Sequence, residues 1–177
     1  ERYVMPLICP ACNKEVYREN GEAAIRCINN RCPAQLHRNI CHFASRNAMN
    51  IESLGESVVY LLLENNLIKD VSDLYNLKVE DIAPLERMGE KSAYNLVSAI
   101  QKSKEAGLGK LIFALGIRHI GEKAAVGLAA FYGNMDSLIN ADVESLCQVE
   151  DIGIKSAESI KNFFNNEDNT ALIKRLK

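Results

Sequence analysis

The sequence predicts a mainly α-helical chain headed by a small four-cysteine ribbon. Three observations predict it. Four of the six cysteines fall within the first 32 residues, spaced C-x2-C-x14-C-x4-C. A glycine-centred pattern then recurs four times, at Gly55, Gly89, Gly121 and Gly153, with spacings of 34, 32 and 32 residues. Each copy is followed by apolar residues at helical spacing, and no stretch beyond the cysteines alternates convincingly as a strand.

The cysteine segment comes first. "CPAC" supplies Cys9 and Cys12, and Cys27 and Cys32 follow. Zinc takes four ligands tetrahedrally, and a tight turn carrying two thiolates supplies half of such a shell. Between the cysteine pairs, "EVYR" and "AAIR" are short strand candidates joined across "ENGE", in which Asn-Gly is a hairpin signal. Four thiolates leave no open position, so the expected site is structural and not catalytic. Two disulfides or four free thiols are the alternative, but no secretory leader is expected and the spacing favours metal. Cys41, His37 and His42 are substitute ligand candidates. "QLHRNICHFASR" reads as a helix with an apolar stripe at Leu36, Ile40 and Phe43, which makes Cys41 a packing residue. Cys147 stands alone in a helical region and is expected to be buried and inert.

The repeats follow in order: "IESLGESVVYLL", "LERMGEKSAYNLV", "IRHIGEKAAVGL" and "VEDIGIKSAESI". The pattern is apolar, two variable residues, apolar, Gly, variable, then Lys in three copies and Ser57 in the first. A fixed period of this size marks one supersecondary unit repeated. After Gly89 the expected buried stripe is Ala93, Leu96, Val97 and Ile100. After Gly121 it is Ala124, Ala125, Leu128 and Phe131, and after Gly153 it is Ala157, Ile160 and Phe164. Asp142 is placed to cap the helix ahead of the fourth glycine. Each unit therefore reads as helix, hairpin, helix. The chain divides into a ribbon at 1–36, a linking helix with units 1 and 2 at 37–106, and units 3 and 4 at 107–177, four tandem motifs arranged as two pairs. "KSKEAGLGK", from Lys102 to Lys110, is a hinge or a loop between them.

The chemistry of the unit lies at its hairpin. Glycine there is expected to accept positive φ and to let a ligand approach the backbone. The next amides open a helix, have no intrahelical partner, and carry the positive end of its dipole, which suits one phosphate. Contacts of this kind hold a nucleic-acid backbone without reading bases. Lys91, Lys123 and Lys155 each sit two residues past a glycine and add charge; Arg87, Arg118 and His119 flank the second and third hairpins. Glu150 and Asp151 precede Gly153 and would repel a phosphate, while Ser53 and Ser57 leave the first hairpin without a nearby cation. By charge the third hairpin is the best contact and the second comes next. A nucleotide P-loop at "GIRHIGEKA" fails, because Glu122 intervenes before Lys123, Ala124 replaces the magnesium-binding hydroxyl, and no strand precedes it.

Composition bounds these readings. The chain has 177 residues, 47% hydrophobic and 25% charged, enough for one or two small domains. Its formal net charge of −2 divides into +3 over residues 1–46 and −5 over 47–177. Any nucleic-acid role must rest on local geometry, not on bulk charge. The apolar runs are too short to span a bilayer. A start at Glu1, not at methionine, reads as a piece of something longer.

The ordered set resembles the C-terminal half of a bacterial NAD-dependent DNA ligase. "RCPAQ" at Arg31, "HFASRNAMNIESLGE" at His42 and "ALGIRHIGEKAA" at Ala114 carry the likeness, which covers essentially the whole chain. The resemblance implies four helix-hairpin-helix motifs that grip nicked double-stranded DNA from the minor-groove side. Cys9, Cys12, Cys27 and Cys32 are the implied zinc ligands. The four hairpins, at Gly55, Gly89, Gly121 and Gly153, match the family's DNA-binding motifs, and Arg87, Lys91, Arg118, His119, Lys123 and Lys155 are the expected charged contacts beside them. It also implies adenylation, OB-fold and BRCT domains as partners in the same parent chain, with NAD and Mg used outside this stretch, and a monomer in the bacterial cytoplasm associated with the nucleoid. No Lys-x-Asp-Gly is present, so no catalytic residue is expected here and the stretch alone should not ligate. The first hairpin has Ser53 where the family commonly has glycine. A helix-hairpin-helix module of another repair protein is the alternative, and so is an inter-domain scaffold with little DNA affinity.

Overall fold

The structure, a computed structural model, describes residues 5–18, 23–27, 29 and 32–177. Its N-terminal part is an antiparallel ribbon of β1 (Val16–Arg18) and β2 (Ile25–Cys27), in the register Val16 to Cys27, Tyr17 to Arg26 and Arg18 to Ile25. An isolated bridge between Ile8 and Glu15 extends the pairing. The expected "ENGE" connection lies outside the described residues. No other strand occurs among the described residues.

Cys32 caps α1 (Pro33–Ala44), with Pro33 in the first turn, where its missing N–H costs nothing. Ile40 and Phe43 are buried and Leu36 is half-buried, so the stripe faces the first core as the spacing predicted. The helices α2 (Glu56–Glu64), α3 (Val79–Ile82) and α4 (Glu90–Ser103) complete this half, with a short 3-10 turn at Asp73–Asn76 between α2 and α3. Leu62, Leu74, Ile82, Leu96 and Ile100 are essentially fully buried in it. Full burial of a side chain of this size contributes about 1.5–3 kcal/mol.

The second half contains α5 (Leu108–Ala114), α6 (Glu122–Tyr132), α7 (Met135–Asn140), α8 (Val143–Leu146) and α9 (Ile154–Asn165) around Ile112, Leu128, Leu138, Leu146 and Ile160. Gly109 lets α5 approach α6: a Cβ there would stand 3.3 Å from the Val126 Cα. Likewise, a Cβ on Gly127 would meet Val149 of the fourth hairpin at 3.3 Å. One expectation fails here. Phe131 is 52% exposed. The track Ala125, Leu128, Tyr132 continues the buried face instead, and the Tyr132 hydroxyl reaches Ser145 Oγ at 2.9 Å. Cys147 is half-buried at the end of α8, less enclosed than expected.

Helix α1 and the last helix each join the two halves. His42 of α1 is hydrogen-bonded through Nε2 to the Phe113 carbonyl at 2.9 Å, and its ring meets Phe113 edge-on. The last helix, α10 (Glu167–Leu176), packs beside α9, buries Ile173 in the second core, and rests Leu172 and Leu176 on the first. Arg175 of α10 donates to Asp70 at 2.7 Å, and Lys177 pairs with Asp136. The Lys102–Lys110 segment finishes α4, turns at Gly107 with φ of 84°, and begins α5.

Candidate metal centre and nucleic-acid interface

The four cysteines converge as the spacing predicted. Their Sγ atoms all lie within 4.8 Å of one another. Cys9 and Cys32 are 3.8 Å apart, Cys12 and Cys27 3.4 Å. Sulfurs bound tetrahedrally to zinc at about 2.3 Å stand about 3.8 Å apart, so the donor set fits the ion. These separations are far too long for disulfides, and all six cysteines are free. Local geometry makes the knuckle. Asn13, just after Cys12, takes a left-handed φ of 54°, and the Cys9 amide donates to the Lys14 carbonyl at 2.8 Å. On the other side, Gln35 of α1 donates to the Cys27 carbonyl at 2.6 Å.

The thiols are already electrostatically unequal. A hydrogen bond from Asn29 is the largest cause lowering the Cys12 thiol to about 6. The Asn29 backbone amide also favours the Cys27 thiolate, but burial and the Cys12 and Cys9 thiols outweigh it and push Cys27 up to about 12. Ionisation of one sulfur opposes ionisation of its neighbour, a conflict that a divalent cation removes. The substitute ligands are elsewhere: His37 Nε2 lies 3.0 Å from the Glu56 carbonyl, His42 is held by Phe113, and Cys41 Sγ is 3.8 Å from His37 Nδ1. Burial raises the Cys41 thiol above its ordinary value, which keeps it unreactive.

The four glycines all occupy one structural position. Gly55, Gly89, Gly121 and Gly153 are the N-caps of α2, α4, α6 and α9. In each copy the apolar residue four before the glycine accepts a hydrogen bond from the apolar residue just before it. These closures are Leu54 to Ile51, Met88 to Leu85, Ile120 to Ile117 and Ile152 to Val149, at 3.0–3.4 Å. The glycine carbonyl then accepts from the amide four residues on, in Val59, Ala93, Ala125 and Ala157.

One expectation about this turn is corrected. None of the four glycines has positive φ; their values run from −80° to −160°. The left-handed residue is two positions earlier: Ser53 at 67°, Arg87 at 60°, His119 at 63° and Asp151 at 66°. A turn whose third residue is left-handed reverses the chain there, and Asp and His tolerate that conformation better than most side chains. The glycine serves the other purpose. A Cβ built on any of the four would meet nothing within 4 Å, so the space in front of these helix starts is open. The four also lack a side-chain cap. By contrast α7, α8 and α10 are capped by Asn134, Asp142 and Asn166, whose side chains accept from first-turn amides.

The charged residues divide by copy. Lys91, Lys155 and His119 are exposed and Arg118 is half-buried. Arg87 pairs with the adjacent Glu86, at 3.6 Å and largely in solvent. Lys123 is different. Its Nζ lies 2.7 Å from Asp151 and 3.3 Å from Glu150, so the third hairpin's lysine is held by the fourth hairpin's acids. Ser156 Oγ lies 3.5 Å from the His119 carbonyl and ties the same two hairpins together. Nothing in the sequence pairs the lysine with these acids, since 27 residues separate Lys123 from Glu150 and no local periodicity relates the two.

Comparison with known families agrees with this geometry. Residues 9–34 match the NAD-dependent DNA ligase C4 zinc finger domain, 45–102 a SAM-like helix-hairpin-helix tandem, and 110–173 the helix-hairpin-helix motif. A thiolate ribbon leading into helix-hairpin-helix units is thus the class that fold and site define. The chain is 51% identical over 177 residues to a DNA ligase of Listeria monocytogenes serotype 4b (strain F2365), covering all of this chain and 26% of that protein. It is 51% identical over 175 residues to a DNA ligase of Desulfitobacterium hafniense (strain DSM 10664 / DCB-2), covering 99% of this chain and 27% of the relative. Over 174 residues it is 53% identical to a DNA ligase of Heliobacterium modesticaldum (strain ATCC 51547 / Ice1), covering 98% and 26%. It carries at residues 9–34 the zinc finger domain of NAD-dependent DNA ligases, and it spans about a quarter of the length of the curated relatives it matches. No helix among the described residues is long and apolar enough to cross a membrane.

Proposed function

We propose that this chain is the duplex-DNA-binding portion of an NAD-dependent DNA ligase and holds DNA without regard to sequence. The observation that carries the reading is the recurrence of the repeat's four glycines as helix N-caps with no side-chain cap and open space before each. An oxygen of a backbone phosphate fits there: first-turn amides donate to it, the helix dipole favours its charge, and no Cβ stands in its way. The contacts at Gly55, Gly89, Gly121 and Gly153 are to backbone amides. Lys91, Lys155, Arg87, Arg118 and His119 supply charge alongside, and Lys123 does so once it leaves its carboxylates. The units act as two pairs, at 37–106 and 107–177.

Cys9, Cys12, Cys27 and Cys32 would hold a structural zinc, which would tie the ribbon together and take no part in bond making. The ribbon at 1–36 and the cap at Cys32 orient α1, and His42 passes that orientation to the second half. Nick sealing with NAD and Mg belongs to the parent enzyme, through adenylation and OB-fold domains, with a BRCT domain as a further partner. The setting is the bacterial cytoplasm at the nucleoid, with the protein a monomer. The scaffold reading is favoured by one observation, the net charge of −5 over residues 47–177. Fluorescence anisotropy with labelled duplexes of unrelated sequence separates the two. Equal affinities that fall as salt rises are expected. Absence of binding at low salt, or strong preference for one sequence, would refute the reading.

A further inference from the structure

Lys123 has the right place for a phosphate contact, two residues past Gly121, but it is occupied. Both of its partners come from the fourth hairpin: Asp151 at 2.7 Å and Glu150 at 3.3 Å. The corresponding residues of the second hairpin are Glu86 and Arg87, and those of the third are Arg118 and His119. Thus the fourth hairpin alone carries two acids at this place.

Two features indicate that the contact is made to be exchanged and not to stabilise the fold. It is open to solvent, with side-chain exposures of 76% for Lys123, 84% for Glu150 and 49% for Asp151. Exposed pairs of this kind contribute little to stability. The hairpins are also held together without it, by the Ser156 contact to the His119 carbonyl and by Ile120, Val149 and Ile152 in one core. A carboxylate and a phosphate oxygen offer an ammonium group the same kind of acceptor. Lys123 is held in its charged form by Asp151 first and Glu150 second, so it is ready for either anion.

We infer that Glu150 and Asp151 stand in for a DNA phosphate at the third hairpin, restraining Lys123 until duplex DNA displaces them. They are positioning residues that set how tightly, and with what salt dependence, the third and fourth hairpins hold DNA. The inference rests on the DNA-binding reading above. Its consequence is that the exchange of one ion pair for another hides one cation from the salt dependence of binding.

The test uses the zinc-loaded chain and a short labelled duplex, with affinity measured between about 50 and 200 mM salt. Asp151→Asn keeps a residue that tolerates the left-handed backbone, and Glu150→Gln keeps the shape of the side chain. The double variant is expected to bind about threefold to tenfold more tightly at low salt. The slope of log affinity against log salt should steepen by about 0.9, the contribution of one more neutralised phosphate. In a Lys123→Gln background the same double substitution should lose the steepened slope and most of the gain, leaving the relief of repulsion at the fourth hairpin. An unchanged slope, a weaker double variant, or a full gain without Lys123 would overturn the inference while leaving DNA binding intact. If neither wild type nor the double variant binds duplex, the DNA-binding reading fails, and the inference fails with it.

Discussion

Replacing Cys12 by serine should separate the folding of the ribbon from that of the helical body. Cys12 is one of four sulfurs that lie within 4.8 Å of one another, and three thiolates cannot close the tetrahedral shell. The ribbon has little else to hold it. Among the described residues from Met5 to Asn29 only Cys9 is buried, and Leu7, Ile8 and Tyr17 are 78%, 55% and 56% exposed. Among those residues, two three-residue strands are the regular structure. Structural zinc in comparable small modules supplies about 10–16 kcal/mol near neutral pH, far more than this apolar burial can replace. The helical body begins its own core at Ile40 and owes the metal nothing beyond the first turn of α1. Metal analysis, amide NMR spectra and far-ultraviolet circular dichroism should give one result. Wild type carries about one zinc per chain. Cys12→Ser loses most of it and the dispersed ribbon amides, while the helical signal is retained and its Tm moves by only about a few degrees. A variant that keeps its zinc and an ordered ribbon, or that loses the helices along with the ribbon, would refute the argument.

The strap between the halves makes two further predictions. Arg175→Gln removes the 2.7 Å contact to Asp70 and should cost about 0.5–1 kcal/mol in urea unfolding at neutral pH. That difference should fade in acid. Burial alone would raise the Asp70 carboxyl, but Ser72 and the Arg175 guanidinium outweigh it and hold it below its ordinary value of 3.8. A depressed carboxylate adds stability above its unfolded value and loses it as pH falls through the folded value, so the gap between wild type and Arg175→Gln should close below about pH 4. A gap that persists at pH 2–3 would mean that Arg175 acts by packing alone.

Much of this architecture was legible because it is local. The apolar stripes of α1, α4 and α9 are set by a 3.6-residue period, and Asp142 announces its own helix by capping it. The cysteine spacing announced the convergence of four sulfurs, because two thiolates in each tight turn leave few other arrangements. What was missed depends on distance or on backbone angle. The repeat drew attention to its most regular letter, glycine, yet the strained residue is two places earlier and varies: Ser53, Arg87, His119, Asp151. Repetition of the hydrogen bond, not of a residue type, defines that position. Phe131 fits a helical stripe on paper, but α6 ends beside it and Tyr132 has the polar partner that rewards burial. The pairing of Lys123 with the fourth hairpin and the return of α10 to the first core join residues far apart in sequence, and no window of the chain contains them.

Filling the open glycines tests the central claim most directly. Gly89→Val and Gly121→Val place a side chain where the structure has nothing within 4 Å, at backbone angles that valine accepts. Each should cost no more than about 1 kcal/mol as a poorer cap. Affinity for duplex DNA, measured beside thermal unfolding, should therefore fall about tenfold or more in each variant, with little change in Tm, because the phosphate can no longer reach the first-turn amides. Wild-type affinity in both variants, with the fold intact, would contradict the account.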